Sequence, residues 1–237
     1  MDNRMVSRSS RTIDMTDGVD QGLRAYMITV FNYMALGLGI TGLTAFALSH
    51  SPQMMAVIWG TGLKWVVIFA PLAMVFFLSF RISALSFASA QMLFFIYSAL
   101  MGLSLSSIFM VFTGQSVTRV FFITASVFGA MSLYGYTTKR DLTGMGSFLF
   151  MGLIGVVIAS LVNMFLHSSA MQFVISVLGV VIFTGLTAYD VQEIKSLYYD
   201  QDEAETIGKK ALIGALKLYL DFINLFISLL HLFGERR

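Results

Sequence analysis

The sequence predicts an all-α membrane protein in which seven helices cross the bilayer. Of its 237 residues, 57% are hydrophobic and only 12% are charged, whereas roughly a quarter of the residues of a soluble domain are charged. The charges are also unevenly placed, because residues 25–63, 82–118 and 142–189 contain no Asp, Glu, Lys or Arg. A helix needs about 20 apolar residues to cross the hydrocarbon core, and lipid offers the backbone no hydrogen-bond partners. These stretches therefore exclude a soluble globular protein.

Seven apolar segments of span length follow one another along the chain. In order, they are Tyr26–Leu48, Trp65–Phe80, Ala90–Phe112, Val120–Tyr136, Ser147–Leu166, Phe173–Tyr189 and Ala211–Phe233. Residues 1–25 form a polar tail, and no cleavable signal precedes the first span, which we expect to remain as an anchor. The second span is the shortest and contains Pro71, so its inner end is expected to run past Arg81. Residues 26–233 are thus predicted to form the transmembrane domain, with residues 234–237 as a short C-terminal tail.

The Lys and Arg residues between the spans predict the orientation. The side that holds the N-terminal tail has ten of them, whereas the opposite side has four, with Lys217 left out because it lies inside a span. Basic residues collect on the cytoplasmic side, so the N-terminus is predicted to be cytoplasmic. An odd number of spans then places the C-terminus outside, but Arg236 and Arg237 would face outward. A re-entrant seventh segment is the alternative, and the sequence leaves the side of the C-terminus open.

Three patterns that suggest binding sites have simpler interpretations. Gly37–Gly42 matches G-x-G-x-x-G but lies inside a span, where close helix packing is a better account than dinucleotide binding. His50, His167 and His231 lie near span ends with no Cys in the chain, so they indicate interfacial or packing roles. Asp200–Glu205 lacks the glycine and the terminal glutamate of a calcium loop and is predicted to be a solvated connection. We therefore expect no cofactor, no dedicated metal site and no nucleic-acid partner.

Two acidic residues within or at the end of spans carry more information. Ionisable residues in a membrane cost on the order of 2.5–3.5 kcal/mol each on insertion scales, and by default they indicate function. Asp190 closes the sixth span, and Asp221 lies near the middle of the seventh. Asp221 belongs to a polar stripe at steps of four, three, four and three, which places its members on one helix face. The members are Lys217, Asp221, Asn224, Ser228 and His231. Such a stripe is predicted to face the bundle interior or a water-filled cavity, so these residues are candidates for a pore lining.

Asp190 and Asp221 are expected to be neighbours, because a short connection joins spans six and seven at one side. Two carboxylates brought close in low dielectric cannot both ionise easily, so the pair can hold one proton near neutral pH. Arg81, at the cytoplasmic end of the second span, is the available cation. It could lock to ionised Asp190 and release it on protonation, which would form a pH-gated latch. In the alternative interpretation, Asp190 merely lies at the interface and Asp221 pairs with Lys217, four residues away.

Longer runs around these residues resemble a known family. They are Thr187–Ile194 (TAYDVQEI) and Leu218–Phe226 (LYLDFINLF), with further matches at Ser132–Leu142 and Phe80–Arg81. They resemble the Bax inhibitor-1 family, also known as the transmembrane BAX inhibitor motif proteins, over roughly residues 20–233. The run in the seventh span is the more specific of the two.

The resemblance implies seven helices with the last one central and wrapped by the others. It further implies a proton-sensitive calcium leak in which Asp190 and Asp221 act as the pH sensor and Arg81 latches Asp190. Eukaryotic relatives reside in the endoplasmic reticulum and suppress cell death, whereas some bacterial relatives lie in the inner membrane and bind a membrane-anchored protease. The chain stops at Arg237 without the long lysine-rich tail of several eukaryotic relatives. A bacterial inner-membrane protein is therefore expected, with the endoplasmic reticulum as the alternative.

These observations predict a calcium (cation) leak channel, gated by protonation of the aspartate pair and by the Arg81 latch. Ca²⁺ would be the permeant ion and would pass close to Asp190 and Asp221 without a dedicated site, with membrane lipid as the surroundings. An intramembrane aspartyl protease is disfavoured, because Leu218 and Tyr219 stand where such enzymes have glycine, so we expect no enzymatic activity. The remaining alternative is a non-transporting regulator that binds a membrane protease or a cell-death protein through its polar tail.

Overall fold

A computed structural model describes residues 3–82 and 84–237 of the chain, with side chains from residue 21 onward. The first two residues of the predicted N-terminal tail, and the side chains of residues 3–20, lie outside the described part. The described residues form nine α-helices. They are α1 (Asn3–Ser49), α2 (Pro52–Gly60), α3 (Leu63–Arg81), α4 (Phe87–Leu105), α5 (Ile108–Val111), α6 (Gly114–Thr137), α7 (Thr143–Leu166), α8 (Ser169–Ser196) and α9 (Ala204–Phe233).

Seven segments of these helices are long and apolar enough to cross a membrane, which confirms the predicted fold class. They are Gln21–Ser49, Leu63–Arg81, Phe87–Val111, Gly114–Thr137, Thr143–Leu166, Ser169–Ser196 and Ala204–Phe233. The seventh is one continuous helix of 30 residues, which is about 45 Å long at a rise of 1.5 Å per residue and exceeds the roughly 30 Å hydrocarbon core. This length favours a full span over a re-entrant segment, and the cytoplasmic orientation of the N-terminus stays a prediction.

Several helix boundaries differ from the sequence prediction. Helix α1 begins at Asn3, inside the predicted polar tail, and α9 begins at Ala204 rather than Ala211. Helix α3 ends at Arg81 and does not run past it. The third span is interrupted, because α4 ends at Leu105 and a separate turn of helix, α5, begins at Ile108. The sixth span does not end at Tyr189, since α8 continues to Ser196. Val191 and Ile194 in this extension are fully buried. The charge on Asp190 ends the apolar stretch but not the helix, and this extra length adds two turns beside α9.

The last helix is the centre of the bundle. In an apolar stretch of 18 residues in α9, 67% of the residues are buried inside the protein. The corresponding share is 39% or less in each other span. Helix α9 packs against α1, α4, α6 and α8, whereas α7 packs mainly on α8 and α3 mainly on α4. Both the arrangement and the central position of the last helix confirm the predicted architecture.

A polar contact joins α1 to α9, and a small residue allows α1 and α4 to pack closely. The Tyr219 hydroxyl and Thr41 Oγ1 lie 2.6 Å apart, and Thr41 Oγ1 also donates to the Ser98 carbonyl. A Cβ on Gly37 would lie 2.8 Å from the Phe94 ring, so the glycine permits close approach of α1 and α4 there. The other two glycines of the G-x-G-x-x-G pattern have open space beside them. The helix-packing interpretation of the motif therefore holds at Gly37.

The C-terminal tail is docked rather than extended. Arg236 forms an antiparallel bridge with Phe112. Glu235 accepts a hydrogen bond from the Thr113 backbone and makes a 3.0 Å ion pair with Arg119. These contacts fix the end of α9 against the junction of α5 and α6.

Candidate functional site

A large cavity is lined by α7, α8 and α9. Its volume is about 1080 Å³, and it runs from Gly146 and Glu193 near the predicted cytoplasmic end to Met164 and His231 near the other end. The α7 wall is mostly apolar, whereas α8 and α9 provide all the charged groups that line the cavity. The cavity therefore has one apolar wall and one polar wall.

The polar wall contains the entire predicted stripe of the seventh span. Lys217, Asp221, Asn224, Ser228 and His231 all line the cavity. The 14 residue steps from the first to the last correspond to about 21 Å along the helix axis. The five side chains thus share one face of α9, and that face borders a cavity. Their role as a pore lining stays a prediction.

The two aspartates meet across the contact between α8 and α9. Both side chains line the same cavity, Asp190 from α8 and Asp221 from α9. The Asp190 side chain is 14% exposed and Asp221 is 5% exposed. Asp221 Oδ2 is buried and has no hydrogen-bond partner among the described residues. The two side chains therefore border one cavity, and their action as a proton-sharing pair stays a prediction.

The cation beside this pair is Lys217. Its Nζ lies 2.6 Å from Glu193 Oε2 and 4.0 Å from Asp190 Oδ1. In the alternative interpretation, Lys217 would pair with Asp221 on its own helix. The structure instead directs the ammonium across to two carboxylates of α8.

Glu193 is a site residue that the sequence interpretation missed. It lies three residues after Asp190, a spacing that places both side chains on one helix face. The signal was present in the sequence, but it becomes visible only when α8 is continued beyond Tyr189. The side chain of Glu193 is 33% exposed, so it borders the open part of the cavity.

Arg81 occupies a different place from the two aspartates. It is the last residue of α3 and is exposed. Among residues 21–82 and 84–237, Asp190 has its ion pair with Lys217, and none joins Arg81 to either aspartate. The Arg81 latch stays a prediction, and it would require α3 to approach α8.

The part of the stripe beyond Asp221 consists of polar side chains that form hydrogen bonds with the backbone of α9. Asn224 donates to the Leu220 carbonyl, and Ser228 Oγ donates to the Asn224 carbonyl. His231 Nδ1 lies 2.9 Å from the Ile227 carbonyl oxygen. The cavity thus changes from carboxyl and ammonium groups near Lys217 to amide, hydroxyl and imidazole groups toward His231.

The connection between α6 and α7 is clamped to α8 close to the charged end of the cavity. The Gln192 side chain accepts from Leu142 N and donates to the Arg140 carbonyl, both at 2.8 Å. In the same connection, hydrogen bonds from the Thr143 side chain and backbone to the Asp141 carboxylate lower the pKa of Asp141. Asp141 is fully exposed and does not line the cavity. It therefore provides a carboxylate outside the site for comparison.

Carboxyl groups and one ammonium lie together in the polar wall of the cavity. In the described ranges, no three His, Asp or Glu side chains converge to hold a metal ion. Lys217 also places a positive charge among the three carboxyl groups. Carboxylate oxygens nevertheless remain the ligands that hard cations such as Ca²⁺ prefer.

Comparisons with known proteins agree with this architecture. Residues 23–237 match the family model described as inhibitor of apoptosis-promoting Bax1. The inner membrane protein YbhL of Escherichia coli (strain K12) is 48% identical over 219 residues, which are 91% of this chain and 94% of that protein. A Rickettsia prowazekii protein is 48% identical over 218 residues, or 92% of each chain. A Caulobacter vibrioides protein is 44% identical over 245 residues, covering 99% of this chain and 98% of its own length.

Proposed function

This chain belongs to the Bax inhibitor-1 family of membrane proteins, and from that premise we propose that it is a pH-sensitive cation leak channel with Ca²⁺ as its permeant ion. The gate is the Asp190–Asp221 pair, and Arg81 is its latch. The chain is an integral membrane protein of the bacterial inner membrane, as the name of its Escherichia coli relative states for that protein.

The observation that carries the proposal is the carboxyl pair in the wall of a long cavity. Asp221 is 5% exposed, its Oδ2 has no hydrogen-bond partner among the described residues, and Asp190 lines the same cavity. A carboxylate accepts only, whereas a protonated carboxyl donates one hydrogen bond. A single proton held by either group would therefore supply the missing donor and remove one negative charge from the wall.

Protonation of one of the two carboxyl groups removes a negative charge from the wall, and this couples pH to cation passage. With both groups ionised, the wall attracts a cation from solution and supplies oxygen ligands for it. With one group protonated, that attraction falls, and an arginine paired with Asp190 would also lose its partner. The polar side chains of Asn224, Ser228 and His231 continue the path toward the other face.

We expect Ca²⁺ flux into liposomes that contain the purified protein to depend on pH. Within the titration of one proton site, occupancy changes by up to about tenfold per pH unit. Asp190→Asn and Asp221→Asn keep the shape of the side chain but fix it in a neutral form, so each should flatten the pH profile. A calcium-sensitive dye inside the vesicles, read across a pH series, measures this.

The matched control is Asp141→Asn, which removes a carboxylate outside the cavity and should leave the profile unchanged. If both cavity variants kept the full pH dependence of the wild type, the sensor assignment would be wrong. If the wild type itself carried no flux at any pH, the leak function would be wrong and a non-transporting regulator would be favoured.

A further inference from the structure

We propose that the Lys217 ammonium is a tethered competitor for the position that a cation takes between the Asp190 and Glu193 carboxylates. This inference rests on the proposed function and deepens it, because it names the group that limits cation occupancy at the charged end of the cavity. Lys217 thus acts as a positioning and specificity residue for the permeant ion.

The position of the ammonium is the first step. Asp190 and Glu193 present their carboxylates from one face of α8, and Lys217 reaches them from α9. Its Nζ lies 2.6 Å from Glu193 and 4.0 Å from Asp190, so one ammonium bridges the two acids. A hard cation that entered from the cavity would bind the same oxygens. Lys217 and such a cation therefore cannot both occupy this position.

The exposure of the cluster is the second step. The side chains of Lys217 and Glu193 are 38% and 33% exposed, and both line the cavity. A lysine side chain is a flexible stem with a point charge at its end, so it can leave one carboxylate without unfolding the helix. The pair is therefore accessible to displacement, unlike a pair sealed in a core.

The unpartnered oxygen of Asp221 is the third step. Asp221 lies one turn beyond Lys217 on α9 and faces the same cavity, where its Oδ2 has no donor among the described residues. With Lys217 in place, the carboxyl groups of the described residues do not converge on one point in sets of three. A cation that displaced Lys217 would enter the wall that Asp221 also lines. We therefore expect the ammonium, while it stays with Asp190 and Glu193, to limit cation access to Asp221.

The balance of charge sets the direction of the effect. The cluster has three carboxyl groups and one ammonium, so full ionisation leaves a net charge of −2. Removing Lys217 makes that charge −3 and frees the two carboxylates of α8. Since unit charges about 4 Å apart interact strongly in a partly buried site, we expect divalent binding to tighten by about tenfold.

The test compares three substitutions at one position. Lys217→Met removes the charge and keeps the length, Lys217→Gln removes the charge but can still hydrogen-bond to Glu193, and Lys217→Arg keeps the charge. Equilibrium binding of radioactive Ca²⁺ to the detergent-purified protein is one measurement, and initial Ca²⁺ flux into liposomes at subsaturating Ca²⁺ is the other. We expect the two neutral variants to bind about tenfold more tightly and to carry more flux, and Lys217→Arg to resemble the wild type.

The control is Lys209→Met on the same helix. Lys209 pairs with Glu205 at 2.9 Å and does not line the cavity, so its loss should change neither measurement. Size-exclusion profiles identify any variant that does not fold. Because two different neutral substitutions are compared, the test does not depend on the folding of either one alone.

The outcomes separate the inference from the proposed function. Folded neutral variants whose Ca²⁺ binding equals or falls below that of the wild type would overturn the role of Lys217, even if the wild type conducts normally. If the wild type conducts nothing, the leak is wrong, and the binding comparison still decides whether Lys217 competes with the cation. An equal gain in Lys209→Met would also overturn the inference, because it would show a general effect of charge.

Discussion

Gly135→Leu is expected to prevent the chain from folding. Gly135 lies where α6 crosses α8, and a Cβ there would come within 2.9 Å of Ala188 Cα and closer still to the Ala188 carbonyl oxygen. These atoms belong to the backbone of a packed helix, so no side-chain rotation relieves the overlap. Overpacking costs about 1–3 kcal/mol and occasionally more, and we expect the upper end or beyond here. Monodispersity in size exclusion and thermal stability in detergent measure the effect.

Gly129→Leu is the matched control for this substitution. It lies on the same helix, is exposed, and has nothing within 4 Å of the position that its Cβ would take. The same change in residue type should therefore leave yield and thermal stability close to those of the wild type. Equal behaviour of the two variants would show that close approach of α6 and α8 is not required for the fold.

Tyr219→Ala is expected to be the most damaging truncation in the central helix. The residue is fully buried, its ring packs against Phe94 and Tyr97 at centroid distances of 6.1 and 5.5 Å, and its hydroxyl contacts Thr41. Helix association in lipid depends on close packing more than on the hydrophobic effect. The space left by the missing ring therefore removes packing contacts that no other side chain replaces. Truncations of this kind cost about 3–5 kcal/mol. Equilibrium unfolding in mixed micelles measures the loss.

Two comparisons separate the ring from the hydroxyl and from the residue type. Tyr219→Phe removes only the contact with Thr41, and interhelical polar contacts in membranes contribute roughly 0.6–2 kcal/mol, so the loss should be much smaller. Tyr199→Ala removes a tyrosine that is 56% exposed and should have little effect. A stability of Tyr219→Ala equal to that of Tyr199→Ala would contradict the assignment of α9 as the central packing element.

The spans were predictable because hydrophobic length is a local property. The charge-free stretch of residues 142–189, for example, is too long for one crossing and contains parts of α7 and α8. The stripe from Lys217 to His231 was predictable for the same reason, since helix periodicity assigns residues to faces without reference to neighbours. Glu193 was missed because the charge on Asp190 ended the apolar pattern. The helix nevertheless continues to Ser196, and Val191 and Ile194 are buried in this extension.

The partner of each charge could not be derived from spacing along one helix. Lys217 and Asp221 stand four residues apart, which favours pairing within α9, yet Lys217 contacts Glu193 and Asp190 of α8. Arg81 lies at the predicted end of its span, but its distance from Asp190 depends on how α3 packs, and α3 packs mainly on α4. Such choices depend on which helices become neighbours.

Composition and periodicity thus determined that the chain is a seven-helix membrane protein, and they determined which face of the last helix is polar. Both follow from interactions of single segments with lipid, which each segment experiences by itself. Only the packing of the bundle decided that this face borders a cavity lined also by α7 and α8, and that Lys217 lies beside the carboxylates of α8. The reason is that the partner of a buried charge is set by helices distant in sequence, and their approach is governed by small residues such as Gly135 at the points of contact.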